Sequence, residues 1–358
     1  SFRHDFRKLY FYTMQVYSFS KQQSKKTFLF FVAILILAYF PIVSFLFSLK
    51  NDAFTGYFPP KFFISESIKS GYLPLWNPYI NFGIPQYGDM SSGFWSPFTW
   101  IIASTFGYNA YSFTIELLLY ILIGGLGVFT LLKCWITDSN IRFIAAISFM
   151  CCGYNIGHLQ HFNWISGAAF LPWCLWAYHY LMADFSVKKV VLTAVLFYLL
   201  IASAHPGISI GAMYFFIGYS LFLLIQNKKN TAHYQFAVWF KSNGVFLLLL
   251  ILLSAGMLFA YADLLPYFVR AEKLGIADSL SNPTSIQSWI SVLLPFATTK
   301  QDPFFATDIS MRNNFFGLEL LLFLALAILN KKSPAQRFFL LMAAFFLLLA
   351  SGGIFKTF

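Results

Sequence analysis

Residues 51–97 read NDAFTGYFPPKFFISESIKSGYLPLWNPYINFGIPQYGDMSSGFWSP. This stretch directly follows the first strongly apolar run of the chain. It is too polar and too rich in Gly and Pro to lie in lipid, and too aromatic for an ordinary linker. That contrast decides the fold: a chain that crosses a membrane once, then lays down a structured outer loop that carries the chemistry, with Asp52 as its reactive group.

Composition around the loop points the same way. Of 358 residues, 59% are hydrophobic and 10% charged, with a mean hydropathy of +0.67, whereas a soluble globular chain carries about 25% charged residues. Repeated apolar runs of about 20 residues match a hydrocarbon core of roughly 30 Å. The expected class is an all-α polytopic transmembrane bundle with helical outer loops after the first span and before the penultimate one. Soluble folds are excluded.

The net charge of +11 suggests nucleic acid only until it is located. Sixteen of the 24 basic residues fall between predicted spans on one side, where the positive-inside rule accounts for them. No nucleic-acid partner is expected. Cys134, Cys151, Cys152 and Cys174 lie inside or at the ends of apolar runs without CxxC spacing and read as small buried hydrophobes. P-loop, GxGxxG, HExxH and GxSxG signatures are absent, so cytosolic nucleotide use and serine or zincin hydrolysis lack support.

Residues 1–26 form a basic, aromatic segment expected on the cytoplasmic surface, and 27–358 a polytopic membrane domain. The start at Ser1 and the stop at Phe358, soon after an apolar run, read as an excerpt of a longer protein, and the first span reads as an uncleaved signal anchor. Spans are expected at about 27–48, 111–133, 141–156, 164–183, 189–204, 207–226, 237–262, 315–330 and 337–353, with outer loops at 49–110 and 263–314. The short apolar pieces 94–107 and 286–297 are expected to lie at the interface, being too short to cross.

Acids concentrate in the outer segments, where general acid and base groups are therefore sought. Asp52 lies just past the first span, either as the cap of a helix at 60–70 or as a base held at the membrane surface. Trp76 and Asn77 in PLWNP, with GIP and FWSP, shape the loop through Pro and Gly. His158 and His161 in GHLQHFNW and His205 in AHPG share the outer face and suit contacts to phosphate or sugar hydroxyls. With no Glu or Cys ligand nearby, neither a metal nor another cofactor is assigned to them. Arg270, Lys273 and Arg312 are candidate phosphate clamps, with ordinary pairing to Glu272 or to lipid headgroups as the alternative. Glu116 and Glu319, at span edges, are expected to snorkel to the interface unless they face the bundle interior.

The acid after the first span, PLWNPYINFGIP, FWSP, GHLQHFNWISGAAFLPW, SAHPG and the late NNFFGLELLL together resemble the bacterial YfhO family, itself similar to the GT-C glycosyltransferases. The resemblance covers most of the chain from about residue 27. It implies a membrane enzyme of the bacterial cytoplasmic membrane, working on the outer face. The donor would be a polyprenyl-phosphate sugar and the acceptor an envelope polymer or a lipid. It maps the catalytic acid onto Asp52, with Asp89 second. Ala204-His205-Pro206-Gly207 departs from the Gly-His-Pro-Gln of many members, and the lone acid after the first span departs from the paired acids of several GT-C enzymes. A transporter of a lipid-linked sugar and a non-catalytic subunit of an envelope-synthesis complex are the competing readings.

Overall fold

A computed structural model describes residues 21–228, 232–267, 282–300 and 302–352. The predicted basic segment at 1–26 and the candidate Arg270, with Lys273, fall largely or wholly outside them. The described residues are helical, with one small two-stranded ribbon among them. Its helices are α1 (Lys21–Ala38), α2 (Phe40–Val43), α3 (Phe58–Lys69), α4 (Pro97–Thr105), α5 (Ala110–Leu131), α6 (Ser139–Met150), α7 (Gly153–Gly157), α8 (Phe162–Ala183), α9 (Val187–Ser203), α10 (Pro206–Lys228), α11 (Ala232–Leu264), α12 (Leu318–Leu329) and α13 (Pro334–Ala350).

Helix α8 is the hub. It packs against α5 on one side and α9 on the other, and α9 in turn against α11. Gly127 of α5 permits the close approach to α8, since a Cβ there would come within 2.9 Å of Trp173 and Pro172 side-chain atoms, and Gly124 and Gly125 do the same toward Phe149 and Met150 of α6. Pro172 interrupts the α8 hydrogen-bond ladder, and next to it the Trp173 indole donates to the Ile123 carbonyl of α5 at 2.8 Å. The core is strongly aromatic, with Phe113 stacked on Phe162 at 4.9 Å and Tyr178 ringed by Phe197, Phe216 and Phe246.

By length and apolarity, three helices among the described residues qualify as membrane spans, within Ala110–Cys134, Pro206–Gln226 and Phe236–Tyr267, or four if the bent pair α12 and α13 counts as one. The protein is thus a helical membrane protein. The remaining predicted spans differ in ways the residues explain. The first helix stops at Ala38, because the ring of Pro41 excludes the Leu37 carbonyl from a continuous ladder. The apolar run at 141–156 breaks at Cys151 and Cys152 into a 12-residue helix and a short turn. Helix α8 is long enough to cross, but its Trp, Tyr and His residues lower its hydropathy. Leu247, Leu248, Ile251 and Leu252 of α11 are exposed apolar side chains, as lipid-facing residues should be.

The ends of α8 separate two chemically different poles. At its C-terminal end Lys189 pairs with Asp184 and lies 3.6 Å above the Tyr180 ring, while Lys241 lies over Phe185 and Arg142 over Phe129. At its N-terminal end gather Asp52, His158, His161 and the segment around Asp308. A 22-residue helix spans about 33 Å, close to the thickness of a hydrocarbon core.

Candidate functional site

Two loops converge on the N-terminal end of α8. The first, residues 44–96, enters through Asn51, whose φ of +52° turns the chain sharply, and a π-helical turn at Ala53–Tyr57 leads into α3. Beyond α3 the ribbon pairs Trp76 with Pro85 and Asn77 with Ile84. Beyond α3 the loop is tied to the bundle through Asn163 Nδ2 to the Met90 carbonyl, the Tyr198 hydroxyl to the Trp95 carbonyl, and Ser203 Oγ to Ser96 Oγ. The second loop docks on α7, where the Gly153 amide donates to the Phe315 carbonyl at 2.7 Å. A Cβ on Gly153 would lie 2.0 Å from the Asn313 side chain, so this contact needs glycine.

Between the loops lies a cavity of about 410 Å³ lined by Asn51, Asp52, Gln160, His161, Trp164, Asn282 and Asp308 to Met311. Asp52 stands at the cap position of the π-turn, yet its carboxylate makes no capping bond. It is 61% exposed and lies 3.4 Å from His161 Nε2. Beside it, Asn51 Nδ2 donates to Gln160 Oε1 at 2.8 Å, which fixes the turn carrying Asp52 against the one carrying His161.

The histidines sit in an aromatic stack. The His158 ring is 4.5 Å from Tyr154 and 4.8 Å from Trp164, and Trp164 is 5.0 Å from His205 on its way to α10. His158 Nδ1 donates to the Tyr154 carbonyl at 3.0 Å, which leaves Nε2 as the free acceptor; His158 Nε2 and His161 Nδ1 are both buried without a hydrogen-bond partner. Burial, with the neighbouring His161, pushes His158 down to about 4, although its bond to Tyr154 opposes the shift. A neutral, fixed imidazole results.

Asp308 is the residue sequence reading missed. It accepts from the Ser310 amide at 2.8 Å and hydroxyl at 2.5 Å. Burial works against its charged form, but these bonds and the charges of His161 and Arg312 prevail and hold it below the usual carboxylate range. The cavity thus brings together two carboxylates from different loops and one imidazole. No spacing in the sequence links position 308 to 161; the nearest signal was Asp-Ile-Ser as a turn-capping pattern.

The other predicted residues divide. Asp89 does not line the cavity; burial raises its carboxyl, opposed by the Ser91 amide bonded to it. It lies near enough that Asp52 and Asp89 together, after burial, push the Tyr57 hydroxyl up to about 12. Asn77 is buried, donating to Gln86 Oε1 at 3.0 Å and accepting from the Tyr79 amide, and Trp76 packs over Gly83. Both build the ribbon and neither reaches the cavity. Arg312, read as a phosphate clamp, is instead 3% exposed, with its guanidinium spent on the carbonyls of Thr307 and Lys300. It organises the second loop.

Glu116, expected at the lipid interface, faces the bundle interior. It is 1% exposed and pairs with Lys61 of α3 at 2.8 and 2.9 Å, while the hydroxyls of Tyr108 and Tyr120 donate to its two oxygens. Lys61 also donates to Thr99 at 3.1 Å and sits 4.0 Å over the Phe162 ring. Pairing satisfies both charges where isolated ones would be prohibitive. The pair anchors α3, and hence the π-turn bearing Asp52, to α5. Among the described residues no group of three or more His, Cys, Asp or Glu side chains gathers as metal ligands. No protein-family model matches the chain, nor does any curated protein or solved structure.

Proposed function

We propose that this protein is a GT-C-like membrane glycosyltransferase of the YfhO type. It would move a sugar from a polyprenyl-phosphate donor to an envelope polymer or lipid outside the bacterial cytoplasmic membrane. The observation that carries the reading is the uncapped, exposed carboxylate of Asp52, 3.4 Å from His161, in a cavity at the end of α8 remote from the basic pole. That layout suits the chemistry: the donor's tail stays in lipid, its phosphate sits at headgroup level, and an acceptor hydroxyl enters from water. In this reading Asp52 takes the acceptor's proton as the new bond forms at the anomeric carbon, with inversion, and the donor phosphate leaves with the other electron pair. His161 Nε2 orients Asp52, and Trp164 with its flanking histidines supplies a flat apolar surface for a sugar ring.

The test is transfer of labelled sugar from a polyprenyl-phosphate donor by the full chain in proteoliposomes. Asp52→Asn abolishes transfer while the protein stays folded and in the membrane; full transfer by that variant removes Asp52 from the reaction. A transporter reading gains one specific observation, the charged pair Lys61–Glu116 inside the bundle. Both members are 1% exposed and line no described cavity, so the enzyme reading is preferred. Movement of a lipid-linked sugar across acceptor-free proteoliposomes would reverse that preference.

A further inference from the structure

Residues 70–88, SGYLPLWNPYINFGIPQYG, contain no Asp, Glu, Lys, Arg or His. The charged residues of the outer loop, Lys50, Asp52, Lys61, Glu66, Lys69 and Asp89, all lie outside this stretch, and the structure shows what the stretch does with its apolar side chains. It turns them outward. Tyr79 and Phe82, at the tip of the ribbon, are 84% and 107% exposed, and Tyr72 and Leu73 at its base are each 73% exposed.

The presentation is built rather than left loose. Asn81 and Phe82 both adopt left-handed backbone, with φ of +47° and +63°, a conformation disfavoured for residues with a Cβ. The Gly83 amide closes the turn on the Ile80 carbonyl at 2.8 Å, Asn77 Oδ1 accepts from the Tyr79 amide, and the Trp76 ring lies over Gly83 so closely that a Cβ there would meet it at 2.5 Å. The fold therefore holds a strained turn in place and points a phenylalanine away from the protein.

This surface is continuous with the lipid-facing side of the bundle. A shallow cavity of about 460 Å³ joins Tyr72 and Leu73 to Trp100 and Ile101 of α4. From there Ile101 and Phe106 carry exposed apolar surface on to Tyr111, Ile115 and Leu119, an i, i+4, i+8 stripe along the outside of the spanning helix α5. Trp and Tyr on an uncharged, polar-backbone scaffold are the residues that settle at the headgroup boundary.

We infer that the ribbon at residues 72–85 and helix α4 form a shelf embedded in the outer edge of the same bilayer that the bundle spans, with Phe82 as its inserting tip and lipid chains as the occupant of the groove at Trp100. The inference rests on the membrane class of the protein and is independent of its reaction. Lipid contact along this shelf fixes the depth at which the first loop, and the cavity beyond it, meets the membrane surface.

The test places an environment-sensitive NBD label at Phe82→Cys in the full chain, with the four native cysteines changed to alanine, in phosphatidylcholine nanodiscs. Tyr79→Cys guards against a local effect of one substitution, and Leu252→Cys on the lipid face of α11 serves as the deep reference. At positions 79 and 82 the emission is blue-shifted, and 5-doxyl lipid quenches it more than 12-doxyl lipid or aqueous iodide does. Stronger quenching by iodide than by either lipid probe would overturn the inference, as would protection from all three, which would mark a protein partner or a second copy as the occupant.

Discussion

Two acid–base pairs lie near Phe162, whose ring Lys61 overlies and whose chain neighbour is His161, and they are opposites. Lys61 and Glu116 are sealed from solvent, and each Glu116 oxygen accepts from the ammonium and from a tyrosine hydroxyl. Asp52 and His161, one residue from Phe162, stand 3.4 Å apart with the carboxylate 61% exposed, beside ring nitrogens that have no partner. The first pair is chemically complete. A low-dielectric interior tolerates charge only on that condition, so Lys61 and Glu116 hold the architecture. The second pair is incomplete, and unsatisfied polar groups at the rim of a cavity are what a ligand satisfies.

The largest effect that would break this contrast is at the sealed pair. Lys61→Met leaves Glu116 buried and uncompensated and is expected to cost about 3–5 kcal/mol, read as thermal unfolding in detergent. Adding Glu116→Leu should restore most of the loss. Equal stability of the single and double variants would mean the pair is not the anchor described.

Next in size is the imidazole behind the open pair. His158 is 4% exposed, with a folded value near 4 against 6.5 for the free side chain. The unfolded chain therefore binds more protons between these values, so stability is intact above about pH 6.5 and falls as pH drops toward 4, by roughly 3 kcal/mol. His158→Phe should flatten that part of a stability profile. Arg312→Ala follows, at about 1–3 kcal/mol for carbonyls left unsatisfied, with faster amide exchange confined to residues 302–312. Smallest is Asp52→Asn, expected within about 0.5 kcal/mol, because the carboxylate caps nothing and is exposed; a loss several times larger in the same melt would make Asp52 a structural residue.

Much of this was legible in the chain and some was not, for physical reasons. Apolar runs and their lengths announced a helical membrane protein, and the helices at 58–69 and 97–105 fall close to the 60–70 and 94–107 that Pro, Trp and charge suggested. Breaks inside apolar runs were missed: at Tyr39 the effect of Pro41 is felt a turn earlier, and at Cys151 nothing in hydropathy marks the bend. Residue spacing brought His158 and His161 together because a turn does so locally. It gave no access to Lys61 with Glu116, 55 positions apart, or to Asp308 beside His161, since those contacts exist only once separate helices have packed. Arg312 was misread for the same reason: a guanidinium suits a phosphate or two backbone carbonyls equally well, and only the fold decides.

The proposed function requires that the cavity at one pole of α8 and the Lys189, Lys241 and Arg142 cluster at the other lie on opposite sides of a membrane. It is tested most directly by labelling intact cells with a membrane-impermeant maleimide, using Asp52→Cys, Lys61→Cys and Lys188→Cys in a chain without its native cysteines. Position 52 should react in intact cells, position 188 only after permeabilisation, and position 61 only once the protein is unfolded. Reaction of positions 52 and 188 from the same side would contradict it.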